Sequence, residues 1–251
     1  MIPDFLKEYQ SDLEKFKLDY VQITATSINS NETLPLTQSK FLGKPYLPLN
    51  MEYPLDNNGK PMLMLSQINF SEVPQLENYP SHGILQLFVS STDWYDMEDY
   101  KILFHKDITQ NSHNDFSFLT EDLFEESPIT GEHKLSFLKK TEYGGTEDCR
   151  FNYLFNGKPT YEFESSLSKE QKEQFNQLVC NAGHKIGGYA YFTQSDPRDY
   201  DSKSKNDVLL LQIDTDKNIM FGDSGVANVF INVDDLKNLN FENAYFNWDC
   251  C

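Results

Sequence analysis

Lys40-Phe41-Leu42-Gly43-Lys44-Pro45-Tyr46 returns 145 residues later as Lys185-Ile186-Gly187-Gly188-Tyr189-Ala190-Tyr191, and that recurrence decides how the rest of the chain is read. The same offset sets Leu65, Gln67 and Ile68 against Leu210, Gln212 and Ile213. Removal of three residues in a turn then aligns Gly83-Ile-Leu-Gln-Leu-Phe88-Val89 with Gly225-Val-Ala-Asn-Val-Phe230-Ile231, and Phe104 with Phe246. Residues 40–105 and 185–247 therefore read as two copies of one unit, whose shared cleft is the natural place for a ligand.

Working outward, short runs rich in Leu, Ile, Val and aromatics at 62–70, 84–89, 100–105, 134–138, 190–193, 208–213, 226–231 and 244–248 predict strands separated by Gly, Pro, Asn and Asp clusters. Helices are not regularly interposed, which favours antiparallel or mixed sheets over a doubly wound one. Two main flanking helices are expected. Phe5, Leu6, Tyr9, Leu13 and Phe16 share one helical face over residues 3–17, behind Pro3. Ser168 with Gln171 forms a capping box that opens a helix over 168–182, with Gly183 as its stop. Residues 56–60, 142–145 and 196–205 read as turns or exposed loops. The expected architecture is an α+β fold over 1–251 as one compact domain, in which 106–184 connect the repeats.

The chain of 251 residues carries 39 acidic against 21 basic side chains, a formal net charge of −18. That balance opposes long-range attraction to nucleic acid or anionic lipid. No run of about 18 apolar residues and no basic, apolar leader is visible, so a cytoplasmic setting is expected. Cys149, Cys180, Cys250 and Cys251 form no CxxC pair, and His82, His105, His113, His133 and His184 have no metal-ligand spacing. Reduced thiols, no metal and no cofactor are expected.

Several motifs imitate chemistry. Gly222-Asp-Ser-Gly225 copies a serine-protease nucleophile turn but is followed by Val226, and reads as a turn. Asp214-Thr-Asp216-Lys-Asn218 begins like a calcium loop, yet Ile219 and Gly225 stand where the bend and the closing Glu are needed, so a hairpin turn is expected. Lys40 and Lys185, each three residues before a glycine, have the composition of an anion cradle, although a backbone role in turning into the first strand explains them more simply. Gln67 and Gln212, amides inside apolar strands, require hydrogen-bond partners from the protein or a ligand. The tail Asn247-Trp-Asp-Cys-Cys251 reads as a closing strand.

The stretches Lys-Ile-Gly-Gly at 185–188, Leu-Leu-Leu-Gln-Ile at 209–213, Gly-Asp-Ser-Gly-Val at 222–226 and Asn-Trp-Asp-Cys-Cys at 247–251 resemble the YwqG-like family of uncharacterised bacterial proteins. Residues 39–48, 61–70 and 83–89 extend the likeness over nearly the whole chain. It implies a compact bacterial cytosolic α+β fold and transfers no catalytic role. Leu42 and Phe221 depart from the Gly and Trp usual at those positions.

The absence of a catalytic constellation, together with the charge, predicts a non-catalytic binding or interaction protein. An acidic inhibitor or immunity-type protein would fit, its partner an unspecified protein or small molecule. The alternative is a small-molecule binder or enzyme acting in the cleft between halves. Its candidate residues are Arg198, Asp196, Asp223, His105 and Trp248, which the copies do not share, with Gln67, Gln212, Lys40 and Lys185, which they do.

Overall fold

A computed structural model describes every residue except Met1, Ser30 and Asp201. The first segment is helical but not one α-helix. A 3-10 turn at Asp4–Tyr9, helix α1 at Gln10–Leu13 and a second 3-10 turn at Glu14–Phe16 follow one another. Leu6 to Tyr9 and Leu13 to Phe16 are three residues apart, the interval at which side chains eclipse on a 3-10 helix. Leu6, Tyr9 and Leu13 are buried.

Ten strands follow among the described residues: β1 (Leu18–Ser27), β2 (Lys40–Phe41), β3 (Leu63–Asn69), β4 (Ile84–Val89), β5 (Tyr100–His105), β6 (His133–Glu142), β7 (Lys185–Gly187), β8 (Val208–Ile213), β9 (Val226–Ile231) and β10 (Tyr245–Asp249). They form one antiparallel sheet in the order β10-β9-β8-β7-β1-β6-β2-β3-β4-β5. The ends of this sheet approach each other through side chains: the Tyr100 and Phe246 rings lie 5.9 Å apart, Trp94 and Trp248 5.0 Å, and Phe104 stacks on Phe241 at 4.3 Å. The sheet is thus nearly closed, like a barrel. One apolar core fills it, with Val21, Ile23, Leu65, Leu87, Ile186, Leu210 and Val229 among its buried members.

The other face is covered as well, which is why β3, β4 and β9 are buried at every position. Met62, Met64 and Phe88 pack together on one side and Ala190, Phe192, Leu209 and Phe230 on the other. Helices α2 (Thr160–Ser165) and α3 (Lys169–Val179) close a separate cluster in which Phe155, Phe175 and Val179 meet Leu6 and Leu13. A short α4 (Val233–Lys237), capped by Asn232, follows β9. The capping box of α3 forms as expected, Ser168 accepting from the Gln171 N–H and Gln171 from the Ser168 N–H.

Three differences from the sequence reading have local causes. The helix ends at Val179, short of Gly183, because the Val179 carbonyl accepts from the Thr146 N–H and Cys180 turns extended. No strand forms at 190–193. The Ala190 N–H donates to Asp148 and the Tyr191 N–H to Gln212, so side chains take the bonds a ladder would use. Residues around 196–200 are not an exposed loop: the 3-10 turn Pro197–Tyr200 buries Arg198, with Asp196 beside it. Asp201, in the same stretch, lies outside the described residues.

Candidate binding site

The nine candidate residues fall in three places. In the first, Lys40 and Gln67 face each other across β2 and β3. The Gln67 Oε1 accepts from the Tyr46 N–H and from Gln86 Nε2, both at 2.8 Å, while its Nε2 donates to the Leu36 and Gln38 carbonyls. Gln86 Oε1 accepts from His105 Nε2 at 2.9 Å, which puts the ring proton on Nε2. Burial pushes the His105 pKa down, so the ring is neutral at pH 7. Lys40, fully buried, pairs with Glu132 at 3.2 Å and with the Lys44 carbonyl.

The second place repeats much of the first. Lys185 faces Gln212 across β7 and β8. Gln212 Oε1 accepts from the Tyr191 N–H at 2.8 Å and its Nε2 donates to the Asn181 and Gly183 carbonyls. Lys185 pairs with Glu142 at 3.0 Å. Burial lowers the Lys185 pKa and the Glu142 carboxylate opposes that shift. Two glycines make room here. Gly188 (φ +75°) lies so close to Glu142 and Tyr20 that a Cβ would collide with both, and Gly187 (φ +73°) sits beneath Leu76 and Tyr79.

Asp148, whose charge acts on Lys185, ties Asp196 and Arg198 into a network the sequence did not disclose. The chain has two arginines, Arg150 and Arg198, and both converge on Asp148. Arg150 grips it with Nε and Nη2 at 2.9 and 2.7 Å, and Arg198 Nη2 stands 3.0 Å away. Arg198 also binds Asp196 through Nε and Nη2, donates to the Asp207 carbonyl, and lies 4.3 Å over the Phe230 ring. Desolvation would raise the Asp148 pKa, but the two guanidiniums and the Ala190 N–H outweigh it and hold the carboxyl far below the usual range. Asp148, Cys149 and Asp196 offer one donor atom each within 4.8 Å of one another. Their chemistry is that of an ion pair, not a metal centre: the carboxylates are engaged by guanidinium, and burial pushes the Cys149 thiol up to about 12.

The third place is the sheet seam, where Trp248 contacts Trp94 and donates Nε1–H to the Tyr95 carbonyl at 3.0 Å. Asp223 is exposed there in the turn that carries Gly222, beside Cys250. The imitated motifs resolve as turns. The Gly225 N–H returns to the Phe221 carbonyl, and Asp214 and Asp216 accept from Gly183, Thr215 and Asn218 backbone N–H groups.

Over the arginine network opens a cleft of ≈ 540 Å³, lined by Leu18, Leu76, Tyr79 and Val208 and by Lys17, Asp19, Glu77, Lys139 and Arg150. The loop 73–82, from the first half, forms one wall, and Tyr79 pins it to the second by donating to the Leu209 carbonyl at 2.6 Å. Arg150 forms the floor. Its Nε and Nη2 are spent on Asp148 and the Gly188 carbonyl, whereas Nη1 has no hydrogen-bond partner among the described residues. Lys139 is half-engaged, by Asp19 at 3.1 Å and the Gln75 carbonyl. None of the nine candidates lines this cleft; Arg198 is tied to it only through Asp148, which it shares with Arg150. The wall and floor residues Arg150, Tyr79, Lys17 and Lys139 escaped sequence reading. Arginine scarcity was the available signal for Arg150.

Residues 39–250 match the family described as a domain of unknown function (DUF1963), and the chain belongs to that family. No curated protein matches the sequence.

Proposed function

We propose that this protein is a non-catalytic binding protein made of two fused copies of one β-unit, with a small anion-bearing molecule held in the cleft between them. The observation that carries the reading is Arg150: a largely buried guanidinium that lines a cleft of small-molecule size and whose Nη1 has no hydrogen-bond partner among the described residues. In a chain of net charge −18, Lys17, Lys139 and Arg150 converging beside Asp19 and Glu77 make a locally balanced surface on which an anion is not repelled. The ionisable groups below are consumed in ion pairs, which favours holding a ligand over transforming it.

The duplication is supported by paired details. β3 and β8 both shift register at a leucine, Leu65 and Leu210. Gln67 and Gln212 make the same pattern of backbone bonds. Each buried Lys also pairs with a glutamate from the connecting segment that lies against a glycine at positive φ, Glu132 at Gly43 and Glu142 at Gly188. The YwqG-like kinship and a bacterial cytoplasmic setting are parts of the same proposal.

Comparison of native and denatured masses of gently purified protein tests the ligand. Wild type should carry a stoichiometric extra mass that the Lys17→Ala, Lys139→Ala double variant loses. A clean apo mass, together with no stabilisation by any of a panel of carboxylates and phosphates, would sink it. A second reading, an acidic inhibitor or immunity-type protein that captures a basic partner, is favoured by the clustering of Asp93, Asp96, Glu98 and Glu242 with exposed Tyr95 and Met97 around the sheet seam.

A further inference from the structure

β5 and β10 end the sheet, each hydrogen-bonded to one neighbour. The free edge of β5 is specific in what it offers. The Ser90 N–H donates to the Asp99 carbonyl, so along the unbroken β4–β5 ladder Lys101, Leu103 and His105 are the residues that bond β4. The N–H and C=O groups of Tyr100, Ile102 and Phe104 therefore point away from the sheet. Phe241 stacks over Phe104 and closes that end. Tyr100 and Ile102 instead line an open groove of ≈ 420 Å³ with Met97, Glu98, Glu242 and Ala244. Its charged walls are both glutamates, and Asp93 and Asp96 lie in the adjoining loop. The nearest cation on the strand, Lys101, alternates to the opposite face.

We propose that this groove takes an extended, lysine- or arginine-bearing segment of a partner protein, which adds a strand to the outer edge of β5 at Tyr100 and Ile102 while its cations meet Glu98 and Glu242. Unpaired strand edges recruit extended peptides through main-chain bonds, and side-chain charge then selects among them. The inference rests on the second reading above for the sign of the partner's charge and adds to it the place and mode of contact.

The molecule supplies its own reporter. Its two tryptophans, Trp94 and Trp248, touch at this seam. Titration of the full chain with a blocked peptide of four Lys-Val repeats should shift tryptophan emission saturably. Glu98→Gln with Glu242→Gln should weaken binding about fivefold, as rim charges do. Ile102→Pro removes an outward N–H without touching a bond to β4, and should weaken it by a further factor of about five. The same peptide with every backbone nitrogen methylated should not bind. Equal binding of the methylated peptide overturns edge pairing while leaving capture by charge standing. No emission change and no binding with either peptide overturns both. Because the methylated peptide is tested on wild type, the result does not depend on the proline variant folding.

Discussion

Lys185 and Glu142 are both buried and bonded to each other, so removal of one partner strands a largely desolvated charge. Lys185→Met should cost about 3–5 kcal/mol, whereas the double change with Glu142→Leu should recover most of it, because each ion had to be desolvated to form the pair. A double-mutant cycle by urea unfolding measures this directly. Asp148 gives the pH dependence. Its folded pKa is depressed, so its contribution is complete above the unfolded carboxylate value of about 3.9 and is lost as pH falls from there toward the folded value. Asp148→Asn should therefore lower stability at pH 7 and flatten its decline between about pH 4 and pH 2 relative to wild type, measured by unfolding at each pH. The thiols should separate in the same way. Cys180 and Cys251 are exposed and should react with a disulfide reagent in the native state at pH 8. Cys149, pushed up to about 12, should react only on unfolding. The cation that matters most to the cleft, Arg150, carried no spacing motif. Its role comes from Asp148, Gly188 and a loop more than sixty residues upstream, and such proximity has no local signature.

Strand positions with paired environments on both faces were legible one element at a time. β4, β5, β8 and β9 coincide with their predicted spans because their apolar runs are bounded by turn residues. β1 was not anticipated. It alternates weakly, through Asp19, Gln22, Thr24 and Thr26, and gains its stability from pairing with β6 along its whole length. α2 and α4, of six and five residues, are too short to show a period. The paired amides are the best test of element-level equivalence. Gln67→Leu should leave the Tyr46 N–H, the Leu36 and Gln38 carbonyls and Gln86 short of partners, and Gln212→Leu should do the same to Tyr191, Asn181 and Gly183. Both should destabilise by at least about 2 kcal/mol, with Gln67→Leu the costlier because Gln86 and His105 depend on it. Thermal denaturation of the two variants ranks them, and loss at only one site would count against equivalent roles.

The predicted repeats are not separable bodies in their packing. Ile23, Leu65, Leu87, Leu210 and Val229 belong to one core, Tyr79 of the first repeat bonds the Leu209 carbonyl of the second, and Met220 of the second bonds Pro128 in the connecting segment. Unfolding should accordingly be a single transition, with calorimetric and van't Hoff enthalpies in agreement, and an isolated 1–105 fragment should not fold. Strand periodicity, turn chemistry, the α3 cap and the recurrence of Lys40–Tyr46 at Lys185–Tyr191 were readable because each depends on residues near in sequence or on a pattern repeated within it. The sequence by itself determined an acidic chain with antiparallel or mixed strands and with Lys and Gln positions recurring in matching places. Only the tertiary structure decided that Asp196 and Arg198 are buried, that both arginines share Asp148, and that Arg150 also lines a cleft, because burial and pairing of charge depend on which distant segments the sheet brings within a few ångströms.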